Sequence, residues 1–446
     1  MKKKVLLLIG VILLTTMTAS GQRRWTLQEC LDYAMANNLS LQKTKLSKQS
    51  ATEDLKGAKG ALLPTLTGST NQSLGYKPWR NSGTTTVTNG TINTKVDKGY
   101  YNGSYALNAQ WTVWNGNKKT NTVKLNALAE ETAELAVEQR ANTIQERIAQ
   151  LYTQILYLTE DVKVEEQMLD TSKKNEERGR EMLEVGKMSK ADLAQLAAQR
   201  ATDEYNIVEA RATLLDYQLE LKQLLEITDE EPFEVVMLDY TDDQILAEVP
   251  SLQSVYEQAL LNRPEIGSAQ LAIKSAGVSV SIAKAGWMPN VSMTGSLGTS
   301  TNSLTSTDWG SQMKTNFDAM AGMSVSVPIY DGRTTKTAVN KAKIKEMQAK
   351  LDLVEEQKTL YNTIQDFWLS TQTNQEKFRA AKASVASEQE SFDLLQEQFR
   401  LGLKNIVELM RGKDNLLSAQ QSQLQSKYLA IYNRQMLKFY EIGIIN

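Results

Sequence analysis

Most side-chain chemistry near neutral pH runs through histidine and cysteine, and this chain has no histidine and one cysteine, Cys30. That removes histidine general-base catalysis, Cys–His nucleophiles, most zinc sites and any disulfide within the chain. Carboxylate or lysine catalysis stays formally open. No Gly-rich phosphate loop and no clustered acidic metal motif occurs, however, so no catalytic residue, cofactor or metal is expected. The formal charge of −2 becomes −5 without Lys2, Lys3 and Lys4, a balance that gives nucleic acid no basic footprint to bind. The chemistry that does stand out is partition between water and oil. In "YYNGSYALNAQWTVWNG" (100–116), Tyr101, Gly103, Tyr105, Leu107, Ala109, Trp111 and Val113 fall on one face of a period of two. Asn102, Ser104, Asn108, Gln110 and Thr112 fall on the other.

Three further segments share this division. Phe317, Ala319, Ala321, Met323, Val325, Val327 and Ile329 alternate with Asp318, Ser324 and Ser326. Val291, Met293 and Leu297 alternate with Asn290, Ser292, Thr294 and Ser296, and a weaker pattern surrounds Leu66, Leu74 and Tyr76. The spacing predicts strands over about 65–76, 100–114, 290–300 and 317–330, each long enough to cross a bilayer at a tilt.

Stepping outward along the chain, the N-terminus reads as a secretory signal peptide over residues 1–21. Three lysines precede an apolar run from Val5 to Leu14, and Ala19 and Gly21 occupy the small positions before the cut. The rest is written twice. Leu252, Gln253, Ala259, Asn262 and Pro289 fall on Leu27, Gln28, Ala34, Asn37 and Pro64 at one offset, and "IYDGR" (329–333) and Gly402 fall on "VWNGN" (113–117) and Gly186 at a second. The predicted organisation is a repeat over 22–227, a linker over 228–250 and a second repeat over 251–446. Each repeat runs helix, proline, two strands, long helix, glycine turn and returning helix, with Gly186 and Gly402 at the hairpin-tip turns.

The helices carry a coiled-coil spacing. Ile144, Ile148, Leu151, Ile155, Leu158 and Val162 alternate by four and three. Leu193, Leu196, Arg200, Asp203, Ile207, Ala210, Leu214, Tyr217, Leu221 and Leu224 do the same, with Arg200 and Asp203 interrupting the apolar seam. Since these stripes are spent on one another, lipid is the natural partner for the strands' apolar face, with Tyr105, Leu107, Trp111, Val113, Val325 and Val327 expected to meet it. An open sheet edge in hydrocarbon leaves backbone groups unpaired, and barrels begin at about eight strands, so the four strands require an oligomer.

The duplicated order, the "LLP" and "WMP" helix ends, the "WNGN" and "YDGR" turns and the "GKMSKADLAQ" and "GLKNIVELMR" tips resemble the TolC-type outer-membrane efflux proteins over the whole mature chain. The resemblance implies a mainly α fold with membrane β: a homotrimer forming a 12-stranded outer-membrane barrel continued by a long α-helical coiled-coil barrel across the periplasm. It implies the exit duct of a tripartite efflux or type I secretion system, with a periplasmic adaptor and an inner-membrane pump as partners and the 228–250 linker in the belt around the helices. It also places Asp192 as an acidic link at the periplasmic gate, Lys404 as its basic partner and Glu408 as a constriction acid. Phe399 stands where a hydrogen-bonding tyrosine is familiar, and Arg411 where a second acidic ring would be. The alternative is a secreted coiled-coil structural or adhesive protein, which would need no detergent for its recovery.

Overall fold

The computed structural model describes residues 24–79, 83–87, 90–94, 97–228, 233–305 and 307–445, so the expected signal peptide lies outside the described residues. One order of elements occurs twice. The first pass has α1 (Leu27–Asn37), α2 (Leu39–Gly60), β2 (Thr65–Tyr76), β5 (Gly99–Trp114), α3 (Lys118–Glu184) and α4 (Lys190–Leu224). A short β1 (Arg24–Trp25) precedes it, and the hairpin β3 (Gly83–Val87) and β4 (Gly90–Thr94) lies between its strands. Next come β6 (Glu234–Val235) and α5 (Asp242–Ile245). The second pass has α6 (Leu252–Asn262), α7 (Pro264–Lys284), β7 (Asn290–Asn302), β8 (Asp318–Ser326), α9 (Thr334–Arg400) and α10 (Ile406–Ile442), with a small helix, Trp309–Thr315, between its strands.

Local chemistry repeats with the order. Thr26 and Ser251 cap α1 and α6. The side chains of Asn115 and Asp331 accept from Lys119 N and Thr335 N as α3 and α9 begin. Both long helices have 67 residues. Each stops in a paired turn that satisfies its last carbonyls: Gly186 N and Lys187 N bond to Leu183 O and Met182 O, and Gly402 N and Leu403 N to Phe399 O and Gln398 O. These turns need a left-handed residue, and Gly186 and Gly402 supply φ of 72° and 74° without a Cβ penalty.

Two compact units each draw on both halves of the chain. One comprises residues up to Leu46, Leu135–Gly267 and from Val354 onward. Its core bears out the first coiled-coil seam, with Ile144, Ile148, Leu151, Ile155, Leu158 and Val162 all buried, and the second in part: Leu196, Asp203, Ile207 and Leu221 are buried, while Leu193, Arg200, Ala210, Leu214, Tyr217 and Leu224 are half-buried. The incoming helices are broken rather than continuous, and the breaks grip the ends of the returning helices. Asn38 donates from its side chain to Leu224 O at 3.0 Å, and Asn262 to Glu441 O at 3.3 Å. The linker crosses this unit as β6, pairing in parallel with β1, and is tied down where Gln375 donates to Ile245 O and Ala247 O and Trp368 to Pro250 O.

The second unit, Ser47–Glu134 and Ser268–Leu353, holds a four-stranded antiparallel sheet ordered β2-β5-β7-β8. Three predicted strands match closely, and the fourth is shorter than 317–330. Pro328 has no N–H to give a ladder, and β8 stops short of it at Ser326, with Val327 beyond the strand.

Candidate functional site

The register carries the apolar face across the sheet. Leu107 lies opposite Gly68 and Leu297, Leu297 opposite Ala319, Ala109 opposite Leu66 and Gly295, and Trp111 opposite Met293, which faces Met323. On the reverse side Asn108 lies between Thr67 and Ser296, and Thr112 opposite Ser292, itself opposite Ser324. Residues directly opposite in a ladder point to one side, so one face is aliphatic and aromatic and the other mainly Ser, Thr and Asn. Leu107, Trp111, Met293, Leu297, Met323 and Val325 remain exposed in the single chain, 38–69% of their surface uncovered. Such a band requires a covering phase. Among the described residues no helix is long and apolar enough to cross a membrane.

Two expected lipid-facing residues are repositioned. A bulge between Thr112 and Trp114 sets Trp114 opposite Val291 and leaves Val113 as the additional residue, so strict alternation fails at the strand's end. Val327 is off the ladder for the reason given above. Tyr105 is on the apolar face but meets the ring of Trp309 edge-on, with centroids 6.4 Å apart. Trp111 donates from its indole nitrogen to Leu62 O at 2.8 Å, an aromatic with one apolar and one polar side.

At the hairpin tips the structure brings some expected residues together and keeps others apart. Phe399 is buried against Met168, Leu196, Phe392, Ile406, Leu409 and Leu416, a cluster drawn from both hairpins. Lys404 pairs with Glu408 at 2.9 Å, one turn along its own segment. That bond, with the Asn405 backbone N–H, holds the Glu408 carboxyl below the usual carboxylate range. Asp192 accepts from the Ser189 hydroxyl at 2.8 Å while its N–H donates back to Ser189, so it belongs to the cap of α4. Arg411 is exposed on α10. Asp192 is therefore not joined to Lys404 within the chain.

A buried polar network was invisible as a whole in the sequence, although Asp203 in an apolar seam announced one end of it. Lys413 on α10 donates to both Asp203 carboxylate oxygens, at 2.6 and 2.7 Å, and to the Ser172 hydroxyl at 3.2 Å. Ser172 and Gln199 also donate to Asp203. The other interrupter, Arg200, pairs with buried Glu176 at 2.5 Å and with Glu204 at 2.6 Å. Farther along α3, Asp161 and Glu165 share the amide of Gln421, and Glu165 Oε2 is buried without a hydrogen-bond partner.

Burial pushes both the Asp161 and Glu165 carboxyls upward. A carboxyl with a raised folded pKa makes the folded chain bind more protons than the unfolded one across the interval between the two values. Stability from this pair is therefore present at lower pH and falls as pH rises through that interval. Glu165→Gln is expected to flatten this dependence and, near neutral pH, to stabilise the chain by about 1 kcal/mol by removing an unpaired buried charge. Thermal unfolding in detergent at acidic and neutral pH checks it, and an unchanged slope counts against the assignment.

The arrangement thus consists of a sheet amphipathic across its two faces and helical hairpins with a packed tip, and comparison with known proteins agrees. The chain is 23% identical over 419 residues to the outer membrane efflux protein BepC of Brucella suis biovar 1 (strain 1330), covering 93% of this chain and 84% of that one. Its fold matches a solved structure of CusC with a TM-score of 0.79 at 17% identity, over 96% of this chain and 95% of that one. It also matches the Campylobacter jejuni CmeC outer membrane channel with a TM-score of 0.76 at 20% identity, over 94% and 85%. The sequence profile of the outer membrane efflux proteins matches residues 30–226 and 255–440, and the chain belongs to that family.

Proposed function

We propose that three copies of this outer-membrane efflux protein close one barrel of twelve strands and serve as the passive exit duct of a tripartite system, receiving cargo through a periplasmic adaptor from an inner-membrane pump. The observation that carries this reading is the sheet. Its apolar face is registered across all four strands, while β2 and β8 are its outer strands, each paired on one side only among the described residues. A bilayer does not tolerate such edges, so insertion demands partner strands, and a second and third copy supply them symmetrically. A coiled-coil scaffold would have no use for this sheet. The polar face then lines a watery lumen, the linker belongs to the belt around the helices, and selection of cargo falls to the pump. Outer-membrane fractions run unheated on denaturing gels should show a trimer that heating collapses to monomer. A detergent-free monomer with full strand content would overturn the reading.

In the periplasmic gate we assign Glu408 to the narrowest ring, with Phe399 packing behind it and Arg411 three residues along the same helix, placed to offset its charge. Lys404 offsets that charge directly, through the 2.9 Å pair. Lys404→Ala and Arg411→Ala should each raise the cation-to-anion permeability ratio in planar bilayers, on the order of twofold. Asp192→Ala, by loosening the cap of α4, should raise conductance. Unchanged selectivity in both cation variants would place the constriction elsewhere.

A further inference from the structure

Between β7 and β8 the chain forms α8 (Trp309–Thr315), and this helix lies across the loop end of the apolar face instead of standing off it. Thr299, which is opposite Tyr105 in the ladder, donates its hydroxyl to Met313 O at 2.8 Å. Gln312 accepts from Asn302 N at 2.7 Å and donates to Thr307 O at 2.7 Å, and Asn316 donates to Ser300 O at 2.6 Å. With the Tyr105–Trp309 ring contact, these bonds fasten a helix of seven residues along its whole length and bury Gln312 and Thr301.

The helix has a second side. At 100° per residue, Gly310, Ser311 and Lys314 turn away from Gln312, and all three are exposed. Trp309 keeps 55% of its surface uncovered at the margin, with Phe317 at 59% just beyond the helix. Moving outward along the face, one meets aliphatic residues at Leu107 and Leu297, then Tyr105 and Trp309, then hydroxyls and one lysine. This is the order of a bilayer leaflet: hydrocarbon, interface, headgroup.

We propose that α8 is an interfacial strap that seats in the headgroup layer at the loop end of the barrel, with Trp309 at the hydrocarbon boundary and Lys314 paired with the anionic headgroup of a lipid. This rests on the apolar face meeting lipid. A lipid occupant follows from the continuity of that face up to the helix and from the sign of the free charge. Asp308, beside Trp309, turns its carboxylate onto the helix N-terminus, accepting from Ser311 N at 2.9 Å and Ser311 Oγ at 2.6 Å, while Lys314 in the last turn is the cation of the helix. Hydroxyl and lysine side chains suit phosphate-bearing headgroups, whose attraction to a surface lysine is short-ranged and screened by salt.

The test uses the full-length trimer with Cys30→Ser, reconstituted in phosphatidylcholine vesicles with and without phosphatidylglycerol. Nitroxide labels at Leu297→Cys and, separately, Ser311→Cys report depth through their accessibility to oxygen and to a nickel chelate. The Leu297 label should lie in hydrocarbon and the Ser311 label in the headgroup layer. Spin-labelled phosphatidylglycerol should associate about fivefold less with Lys314→Glu and be retained by Lys314→Arg. A Ser311 label in bulk water, or equal association for Lys314→Glu, overturns the strap while the lipid-facing sheet stands. A Leu297 label in water overturns the lipid-facing assignment itself.

Discussion

Leu107→Arg is expected to abolish most trimer recovery from the outer membrane, while Asn108→Arg, one residue along the same strand, is expected to leave it nearly intact. Leu107 sits in the centre of the apolar face, opposite Gly68 on one side and Leu297 on the other, and no side chain of the described residues covers it fully. An arginine there must either place its guanidinium in hydrocarbon or bend along the strand to reach the interface. On a barrel's lipid face near the midplane that costs about 2–4 kcal/mol per copy. Three copies in one barrel multiply the cost, which then rivals the whole stability of a small domain. Asn108 lies opposite Thr67 and Ser296 on the polar face, so its arginine stays in water. Leu107→Ala separates the two causes: lost packing alone should cost far less than the charge, because lipid fills the space. Heat-modified trimer yield on gels reads all three variants, and equal yields for the two arginines would reverse the sheet.

The faces were legible because the period of a strand is two and its polar and apolar residues were few enough in kind to sort. Parity carried the assignment from Tyr101 to Trp111 and failed at Val113, since a bulge adds a residue without altering composition. β8 ended early at a proline that the sequence displays. The hairpin β3–β4 had a signal that went unused: β-branched residues recur on both sides of a short polar segment containing an Asn-Gly step. The strap helix had almost none, because seven residues are too few to establish a helical period. Long helices and their seams were readable over tens of residues. The break at Arg263 also had a signal that went unused, since Pro264 follows it and fits the first position of a new helix, whereas Asn38 is marked only by its own type. The buried network was half legible. A charged residue in a seam predicts a partner, but which of 50 lysines and arginines supplies it depends on how two hairpins dock, and sequence spacing says nothing of that.

Lys413→Ala should be among the most damaging single substitutions in the helices. Lys413 and Asp203 are 3% and 2% exposed, and their 2.6 Å bond joins the first hairpin to the returning helix of the second. At 1.5 Å per residue, the three helices meet there roughly 20 Å from the hairpin turns, so the link sets how the tips sit against one another. Removing the ammonium leaves a carboxylate in a nearly dry site with only Ser172 and Gln199 as donors. Breaking one side of a buried pair in this way costs about 3–5 kcal/mol, far more than an intact pair contributes, because the surviving charge keeps its desolvation penalty. That asymmetry gives the decisive control. Asp203→Leu combined with Lys413→Met removes both charges at similar volume and should recover most of the loss, whereas each substitution alone should not. Urea unfolding of the detergent-solubilised trimer measures the cycle, and single-channel recording shows whether the loosened single variants gate more often. A loss under about 1 kcal/mol for Lys413→Ala would mean that water already reaches the pair, and that the two hairpins are held at the tip by the Phe399 cluster alone.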